Sequence, residues 1–165
     1  MKKLIFIRHG RAEEQSAEIS DFERSLTLKG KTIAKEMARK FREKENSPGN
    51  IITSPAFRAL ETAIIFAEEF GIEPEKIIIN SNLYYKMDIH YLYELLSHVS
   101  EDTESITLFG HNPSFTEMAN SLSKEGCDFM TKCGVVGICF NVSTWAEVRH
   151  NTGKVEYYLN HEKAL

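Results

Sequence analysis

Hydrophobic and polar positions alternate along the chain with two different periods. The run Leu4–Ile7 is continuously apolar, as expected for a strand that is buried on both faces. Between residues 26 and 45, the apolar residues Ile33, Met37 and Phe41 recur every four positions and most charges fall on the other side, which predicts a helix. Further strand-like segments lie at 51–52, 76–80 and 105–110, and further helix-like segments at 56–70, 90–99 and 113–122.

This order of segments predicts an α/β fold with three layers, α/β/α, around a mostly parallel sheet. The last third of the chain differs, because the strand-like segments 135–143 and 154–160 are separated by a turn around residues 151–153. That pair predicts an antiparallel hairpin at the edge of the sheet. With 165 residues, the chain is expected to form a single domain, residues 1–165, with a real core.

The composition indicates a globular protein without a broad basic surface. Hydrophobic residues make up 42% of the chain, and the formal net charge is −4. Because lysine and arginine are spread along the chain, we expect no nucleic-acid partner, although a small cationic pocket remains compatible with this charge. No apolar run approaches the roughly 20 residues of a membrane helix, and Arg8 and His9 interrupt the first apolar run too early for a signal peptide. We therefore expect a soluble, cytoplasmic protein with no membrane partner.

Neither the cysteines nor the scattered histidines show the spacing of a metal site. Cys127, Cys133 and Cys139 are six positions apart, which fits neither a C-x-x-C motif nor a disulfide framework, so we expect reduced thiols. His90, His98, His150 and His161 lack H-x-x-x-H spacing as well. We expect the protein to work without a metal or another cofactor.

Polar groups of one kind follow three of the predicted strands at their carboxyl ends. They are Arg8 and His9, then Ser54 and Pro55 with Arg58 in the next helix, then His111 and Asn112. In open α/β sheets, ligands bind in the crevice at the carboxyl ends of the strands. Two arginines and two histidines that meet there would form a dense cationic pocket, whose natural occupant is an anion.

A phosphoryl group is the anion that suits these side chains best. The planar guanidinium of arginine binds phosphate oxygens through two hydrogen bonds, and N–H groups at the start of the helix after His111 can add to the site. A neutral imidazole is also a nucleophile that can accept a phosphoryl group, and water then cleaves the covalent intermediate. Flanking arginines stabilise the charge of the phosphoryl oxygens during transfer.

Three motifs in order, each after a predicted strand, resemble those of the histidine phosphatase superfamily, which has the phosphoglycerate-mutase-like fold. They are RHG at 8–10, SPAFRALET at 54–62 and GHNP at 110–113. SLTLKG at 25–30 and FMTKCGVVGICF at 129–140 are also similar to segments of that family, so the resemblance extends over nearly the whole chain. Within the superfamily, the short chain and the GHNP spelling look most like the small phosphohistidine phosphatases of the SixA type.

The resemblance implies a role for each matched residue. His9 would be the nucleophile that becomes phosphorylated, and Arg8 and Arg58 would bind the phosphoryl oxygens. His111 would be the second histidine in contact with the phosphoryl group, in its protonated form. Asn112 would contribute its backbone N–H to substrate binding.

The chain departs from the family pattern where a proton donor is expected. Larger members of the superfamily have a carboxylate general acid after the third strand, whereas this chain reads NLYYKMDIH, with Asp88 as the nearest carboxylate, three or four positions late. An alkoxide leaving group needs such a proton far more than an imidazole does. The sequence therefore favours phosphohistidine in a partner protein as the substrate. The 58–111 segment is also too short to add a long lid over the pocket, and an open pocket suits a phosphoryl group on the surface of another protein.

Two alternatives stay open at this point. One is a phosphomonoesterase of the same superfamily that acts on a small phosphorylated metabolite, with Asp88 or a water held by tyrosines as proton donor. The other is a phosphate-recognition module without catalysis. We interpret the nearby tyrosines as packing under a loop, with a docking patch as the alternative; they are Tyr84, Tyr85, Tyr91 and Tyr93. We interpret the acidic residues near the pocket side as a solvated loop that could tune substrate choice; they are Glu13, Glu14, Glu18, Asp21 and Glu23.

Overall fold

A computed structural model describes residues 1–161 and contains one six-stranded sheet flanked by helices. The strands are β1 (Lys2–Arg8), β2 (Asn50–Thr53), β3 (Ile78–Ile79), β4 (Ser105–Gly110), β5 (Val135–Phe140) and β6 (Gly153–Leu159). The helices are α1 (Leu28–Lys44), α2 (Phe57–Glu69), α3 (Asn82–Tyr85), α4 (Ile89–Ser97) and α5 (Ser114–Leu122). The strand order is β3-β2-β4-β1-β5-β6, and the pairs among β1 to β4 are parallel.

The central strand β1 is buried on both faces, as its continuous apolar run predicts. Leu4 and Phe6 belong to one core, shared with α4 and α5. Ile5 and Ile7 belong to the other, shared with α1 and α2. Since side chains alternate along a strand, four consecutive apolar residues serve two separate cores, and this alternation produces the three layers.

The parallel strands β1, β4 and β2 end at the same edge of the sheet. Arg8 lies opposite Gly110, and Thr53 lies opposite Phe109. The residues that follow these strand ends are therefore neighbours in space although they are far apart in sequence. This register places the three predicted motifs around one crevice.

The C-terminal strands form the antiparallel pair that the sequence predicts, at one edge of the sheet. Their connection is longer than a simple turn. It contains a 3₁₀ turn at Trp145–Glu147. The indole of Trp145 is fully buried in one of the two cores and donates a hydrogen bond to the carbonyl of Thr103. The strand predicted at 76–80 is only two residues long and exposed, because it lies at the opposite edge of the sheet.

None of the helices within residues 1–161 is long and apolar enough to span a bilayer.

Candidate active site

A pocket of about 450 Å³ lies at the carboxyl ends of β1, β2 and β4. The five residues predicted to bind or transfer a phosphoryl group all line it: Arg8, His9, Arg58, His111 and Asn112. Four further side chains complete its wall: Asp21, Arg24, Tyr84 and Lys132. Among the residues described, four cationic side chains and one carboxylate therefore surround this pocket, which favours an anionic ligand.

His9 is buried at the end of β1, with 8% of its surface exposed. Its backbone N–H donates to Gly110 and its carbonyl accepts from Cys133, so both neighbouring strands hold the residue in place. The ring Nδ1 lies 2.7 Å from the carbonyl oxygen of Gly10. A carbonyl only accepts hydrogen bonds, so Nδ1 carries the proton and the unprotonated nitrogen is Nε2. Burial, with the nearby His111 and arginines, lowers the pKa of His9 to about 3.

Arg58 connects the ring of His9 to a loop that precedes α1. Its Nε lies 3.4 Å from Nε2 of His9. Its Nη1 and Nη2 donate to the backbone carbonyl and the carboxylate of Asp21, at 2.7 and 3.1 Å. Only 6% of Arg58 is exposed, since it lies at the second position of α2 with its side chain across the pocket. The arginine is thus fixed on two sides, which limits the freedom of its guanidinium.

Asp21 is a central residue of the pocket wall, which sequence reasoning placed in a solvated loop. Its carboxylate accepts a hydrogen bond from the hydroxyl of Tyr84 at 2.6 Å and from Arg24 at 2.9 Å. The Tyr84 hydrogen bond, with those from Arg24 and Arg58, holds the pKa of this carboxyl well below its usual range. Asp21 therefore stays ionised at neutral pH and orients the groups around it.

Tyr84 lies where the sequence suggested packing under a loop, and it packs against a site residue. Its ring stands edge-on to the ring of His111, with centroids 5.4 Å apart. Its hydroxyl donates to Asp21, which raises the pKa of the tyrosine. The interpretation of the tyrosines as packing residues was incomplete for this one, because α3 directs it into the pocket.

His111 follows β4 and is held by a serine that follows β2. The Oγ of Ser54 lies 2.8 Å from Nε2 of His111 and also accepts from the N–H of Ala56. The other ring nitrogen, Nδ1, is 3.5 Å from Nη2 of Arg58. Burial and the positive charge of Arg58 lower the pKa of His111 to about 4, so the imidazole is neutral at pH 7. The protonated form that the family resemblance implies concerns the ring beside a bound phosphoryl group, where an anion would favour protonation, and it stays a prediction.

Arg8 and Asn112 both bond to the backbone of the segment before β5. The Nη1 of Arg8 and the side-chain amide of Asn112 each donate to the carbonyl of Met130, at 2.9 Å. The Oδ1 of Asn112 accepts from the N–H and hydroxyl of Thr116 in α5. The side chain of Asn112 thus fixes the turn after His111, and its predicted contribution to substrate binding through the backbone stays a prediction.

Asp88, the general acid of the phosphomonoesterase alternative, is not among the described residues that line this pocket. It is the N-cap of α4, where its Oδ1 accepts from the N–H of Tyr91 at 2.8 Å. It lines a neighbouring depression, beside Tyr85 and His90, that shares only Tyr84 with this pocket among the described residues. An N-cap aspartate satisfies the free N–H groups of its helix, and this requirement explains its position in the sequence.

Sequence reasoning did not name Arg24, Tyr84 or Lys132 as pocket residues, and it took Asp21 as part of a solvated loop on the pocket side. It did place Ser54, beside Pro55 in a recognised motif, at a strand end that borders the crevice. No local signal identified Asp21 and Arg24, because the loop between residues 11 and 27 has no periodicity that indicates where it packs. Its position results from contacts such as the N–H of Phe57 donating to the carbonyl of Phe22.

The sequence of this chain is also similar to those of known proteins. The sequence model of the histidine phosphatase superfamily (branch 1) matches residues 4–82, a range that includes the RHG and SPAFRALET motifs. An uncharacterised protein of Picosynechococcus sp. (strain ATCC 27264 / PCC 7002 / PR-6) is 29% identical over 141 residues, which cover 82% of this chain and 84% of that protein.

Solved structures share the fold over nearly the full chain. SixA from Agrobacterium tumefaciens has a TM-score of 0.76 at 18% identity, covering 98% of this chain and 99% of that one. The protein histidine phosphatase SixA in complex with tungstate has a TM-score of 0.77 at 19% identity, covering 95% and 96%. The mycobacterial glucosyl-3-phosphoglycerate phosphatase with inorganic phosphate has a TM-score of 0.64 at 14% identity, covering 95% and 96%. These similarities confirm the predicted fold.

Proposed function

We propose that this chain, whose residues 4–82 match the sequence model of the histidine phosphatase superfamily, is a phosphatase that acts through a covalent phosphohistidine on His9. We further propose that its substrates are proteins phosphorylated on histidine. The observation that carries the first proposal is the hydrogen bond from Nδ1 of His9 to the carbonyl of Gly10, which leaves Nε2 unprotonated. The absence of a free carboxylic acid among the described pocket residues carries the second.

The nucleophile is ready to react without prior loss of a proton. With a pKa of about 3, His9 is neutral at physiological pH, and Nε2 keeps its lone pair. The 2.7 Å hydrogen bond at Nδ1 fixes both the tautomer and the plane of the ring. A buried neutral imidazole held in this way meets the geometric and electronic demands on an attacking nucleophile.

The cationic side chains supply the electrostatic part of catalysis. Arg58 reaches to within 3.4 Å of Nε2, so its N–H groups meet the oxygens of a phosphoryl group that is bonded there. Arg8 and His111 line the same pocket. A dianionic phosphoryl group would raise the pKa of His111, and the resulting imidazolium would add a third positive charge to the site.

The reaction has two steps: transfer of the phosphoryl group to His9, and hydrolysis of the phosphoenzyme. Nε2 of His9 attacks phosphorus while the bond between phosphorus and the substrate nitrogen breaks, and the electron pair of that bond returns to the substrate imidazole. A water molecule next attacks phosphorus, the bond to Nε2 breaks, and the water proton passes to the released phosphate. Because the carbonyl of Gly10 keeps Nδ1 of His9 protonated, the ring leaves as neutral imidazole and returns to its starting state.

The pocket favours a leaving group that needs no acid catalyst. Asp21 is the one carboxylate among the described lining residues, and its three donors keep it ionised. Asp88 lies in another depression. A phosphohistidine whose second ring nitrogen is protonated departs as neutral imidazole, whereas an alkoxide would need a proton that no carboxyl group near His9 can give. The fold shared with the protein histidine phosphatase SixA agrees with this choice of substrate.

Trapping of the phosphoenzyme tests the nucleophile. Wild-type protein mixed with a ³²P-labelled phosphohistidine peptide and quenched in alkali should retain a label that is stable to base and labile to acid. His9→Ala should show neither label nor turnover, with a circular dichroism spectrum that matches the wild type. His150→Ala, a substitution in the loop before β6, serves as the matched control. Turnover by His9→Ala would overturn the assignment.

A comparison of rates tests the substrate class. The value of kcat/KM should be highest for phosphohistidine peptides and much lower for phosphoserine, phosphotyrosine and a panel of phosphorylated metabolites. Faster hydrolysis of the metabolites would instead identify a small-molecule phosphomonoesterase, as in the mycobacterial phosphatase of the same fold. Because arginines neutralise the negative charge of the phosphoryl oxygens, no metal ion is needed for this purpose, and we also expect EDTA to leave the rate unchanged.

A further inference from the structure

A second cavity of about 450 Å³ adjoins the phosphoryl pocket, on the side of α1. Arg8 and Lys132 line both cavities, and Arg11, Lys29 and Thr131 line only this one. We call it the second cationic pocket. Since two side chains belong to both walls, one ligand can reach both cavities at the same time.

A close backbone contact brings Arg11 and Lys29 together. A Cβ built on Gly30 would lie 2.2 Å from the carbonyl oxygen of Arg11, so only glycine lets the strand-end loop approach α1 this closely. The same carbonyl accepts the N–H of Thr27, directly before the helix. These contacts place residues 11 and 29, which come from two different sequence motifs, at one cavity.

Within residues 1–161, the cations of the second cationic pocket have no carboxylate partner. Arg8, Arg11, Lys29 and Lys132 form no ion pair among these residues, whereas Arg58 pairs with Asp21. The side chain of His161, which also lines the cavity, lies 3.0 Å from a carboxylate oxygen of Glu36. In a chain with a formal net charge of −4, four cations without an ion-pair partner in the described part of the chain form a local field that attracts an anion.

Two buried polar atoms at this cavity also lack a partner among the described residues. They are Nε of Arg8 and the hydroxyl oxygen of Thr131. The guanidinium of Arg8 packs over the ring of Phe129, 5.3 Å from its centroid, so its plane is fixed. Buried groups of this kind are normally satisfied, and a bound ligand with acceptor oxygens would satisfy the Arg8 donor.

We propose that the second cationic pocket binds a carboxylate that the substrate presents beside its phosphoryl group. For a protein substrate, this carboxylate is an aspartate or glutamate side chain close to the phosphohistidine. The protein-substrate part rests on the proposed function, whereas the binding of a second anion does not. Guanidinium and ammonium groups both donate charge-assisted hydrogen bonds to carboxylate oxygens, and this pocket holds two of each.

Peptide substrates test the preference directly. Phosphohistidine peptides that carry glutamate near the phosphohistidine should have a kcat/KM roughly five- to tenfold above matched glutamine peptides, since several exposed ion pairs contribute. In an Arg11→Gln/Lys29→Gln variant, this ratio should fall to about 1. Both side chains are exposed, so the fold should survive their replacement. The control is Lys35→Gln, an exposed lysine of α1 that lines a different cavity and should keep the wild-type ratio.

A binding experiment separates this inference from the proposed function. Titration calorimetry should show tighter binding of 3-phosphonopropionate than of ethylphosphonate to the wild type, and the difference should disappear in the double variant. This result would support the second cationic pocket even if phosphohistidine peptides were not hydrolysed. An equal affinity of the wild type for the two phosphonates would overturn the proposal. Tighter binding of ethane-1,2-diphosphonate than of 3-phosphonopropionate would overturn the carboxylate and assign the pocket to a second phosphate.

Discussion

The hydroxyl of Tyr84 lies 2.6 Å from Oδ2 of Asp21, and the same oxygen accepts a hydrogen bond from Arg58. The tyrosine comes from α3 and the aspartate from the loop before α1, so one carboxylate joins two separate segments to the guanidinium above His9. Arg58 cannot turn away from His9 without breaking these bonds. We interpret Asp21 and Tyr84 as positioning residues that hold in place the arginine that we propose binds the phosphoryl group.

Replacement of Asp21 should therefore reduce kcat more than it changes KM. Asp21→Asn keeps the shape of the side chain and removes the charge that orients Arg58, and a guanidinium displaced by about 1 Å costs roughly 10- to 100-fold in rate. Tyr84→Phe removes one hydrogen bond to the same carboxylate and should cost less. Steady-state kinetics with a phosphohistidine peptide measures both values.

The exposed carboxylate of Asp102 provides the matched control, and Asp102→Asn should retain wild-type kinetics. A general acid at position 21 would give a different result. In that case, Asp21→Asn would abolish the alkaline limb of the pH profile and slow ester substrates far more than phosphohistidine. That outcome would contradict a positioning role.

Removal of the Ser54 hydroxyl should disorder the second histidine of the site. Its Oγ lies 2.8 Å from His111 and also accepts the N–H of Ala56, so Ser54→Ala leaves a buried donor without a partner. We expect the free energy of unfolding to fall by about 1 to 3 kcal/mol. Because the orientation of His111 is lost as well, kcat/KM should fall by roughly tenfold.

A second buried serine separates these two effects. Ser123 is 1% exposed, accepts the N–H of Gly126 and donates to the carbonyl of Ala119, away from the pocket. Ser123→Ala should lose a similar free energy of unfolding with no loss of activity. Urea unfolding and steady-state kinetics on both variants make the comparison. Equal activity in the two variants would contradict the role of Ser54.

The buried histidines should make the stability of the protein fall as the pH is lowered. Burial lowers the pKa of His9 to about 3 and that of His111 to about 4, from an ordinary value of 6.5. At a pH between each lowered pKa and 6.5, the unfolded chain binds a proton that the folded chain does not, so acid favours unfolding. For His9 alone, which is 8% exposed, the free energy of unfolding should drop by about 2 kcal/mol between pH 7 and pH 5.

Urea unfolding at pH 5, 6 and 7 measures this dependence. A His9→Gln variant should show a shallower decline than the wild type over this range. Inorganic phosphate should also flatten the decline, because a bound dianion favours the protonated form of the histidine beside it. Identical pH dependence in wild type and variant would show that His9 is not the source.

The sheet and the five predicted residues that line the pocket could be predicted because each depends on local signals. Four apolar residues in β1 indicate a strand buried on both faces, and parallel strands bring their carboxyl ends to one edge. Arg8, His9, Arg58 and His111 therefore meet in one pocket once the strand order is right. Each of these residues stands at a strand end or at the start of the helix that follows.

The rest of the site depends on contacts between segments that carry no local signal. Asp21 lies in an irregular loop whose acidic composition is the same whether it faces solvent or the pocket. Tyr84 lies in a helix of four residues, which is too short to show which face is buried. In both cases, tertiary contacts determine the position of the side chain, and the sequence offers only the residue type.

Asp88 should prove important for stability and not for catalysis. It caps α4 by accepting the N–H of Tyr91, so Asp88→Ala should lower the free energy of unfolding by about 1 kcal/mol, whereas Asp88→Asn should preserve it. Both variants should keep the wild-type kcat/KM and pH profile for phosphohistidine peptides, because the side chain lies outside the pocket of His9. A limb of the pH profile that moves in Asp88→Asn, with ester substrates slowed, would instead identify a mobile general acid and favour a phosphomonoesterase.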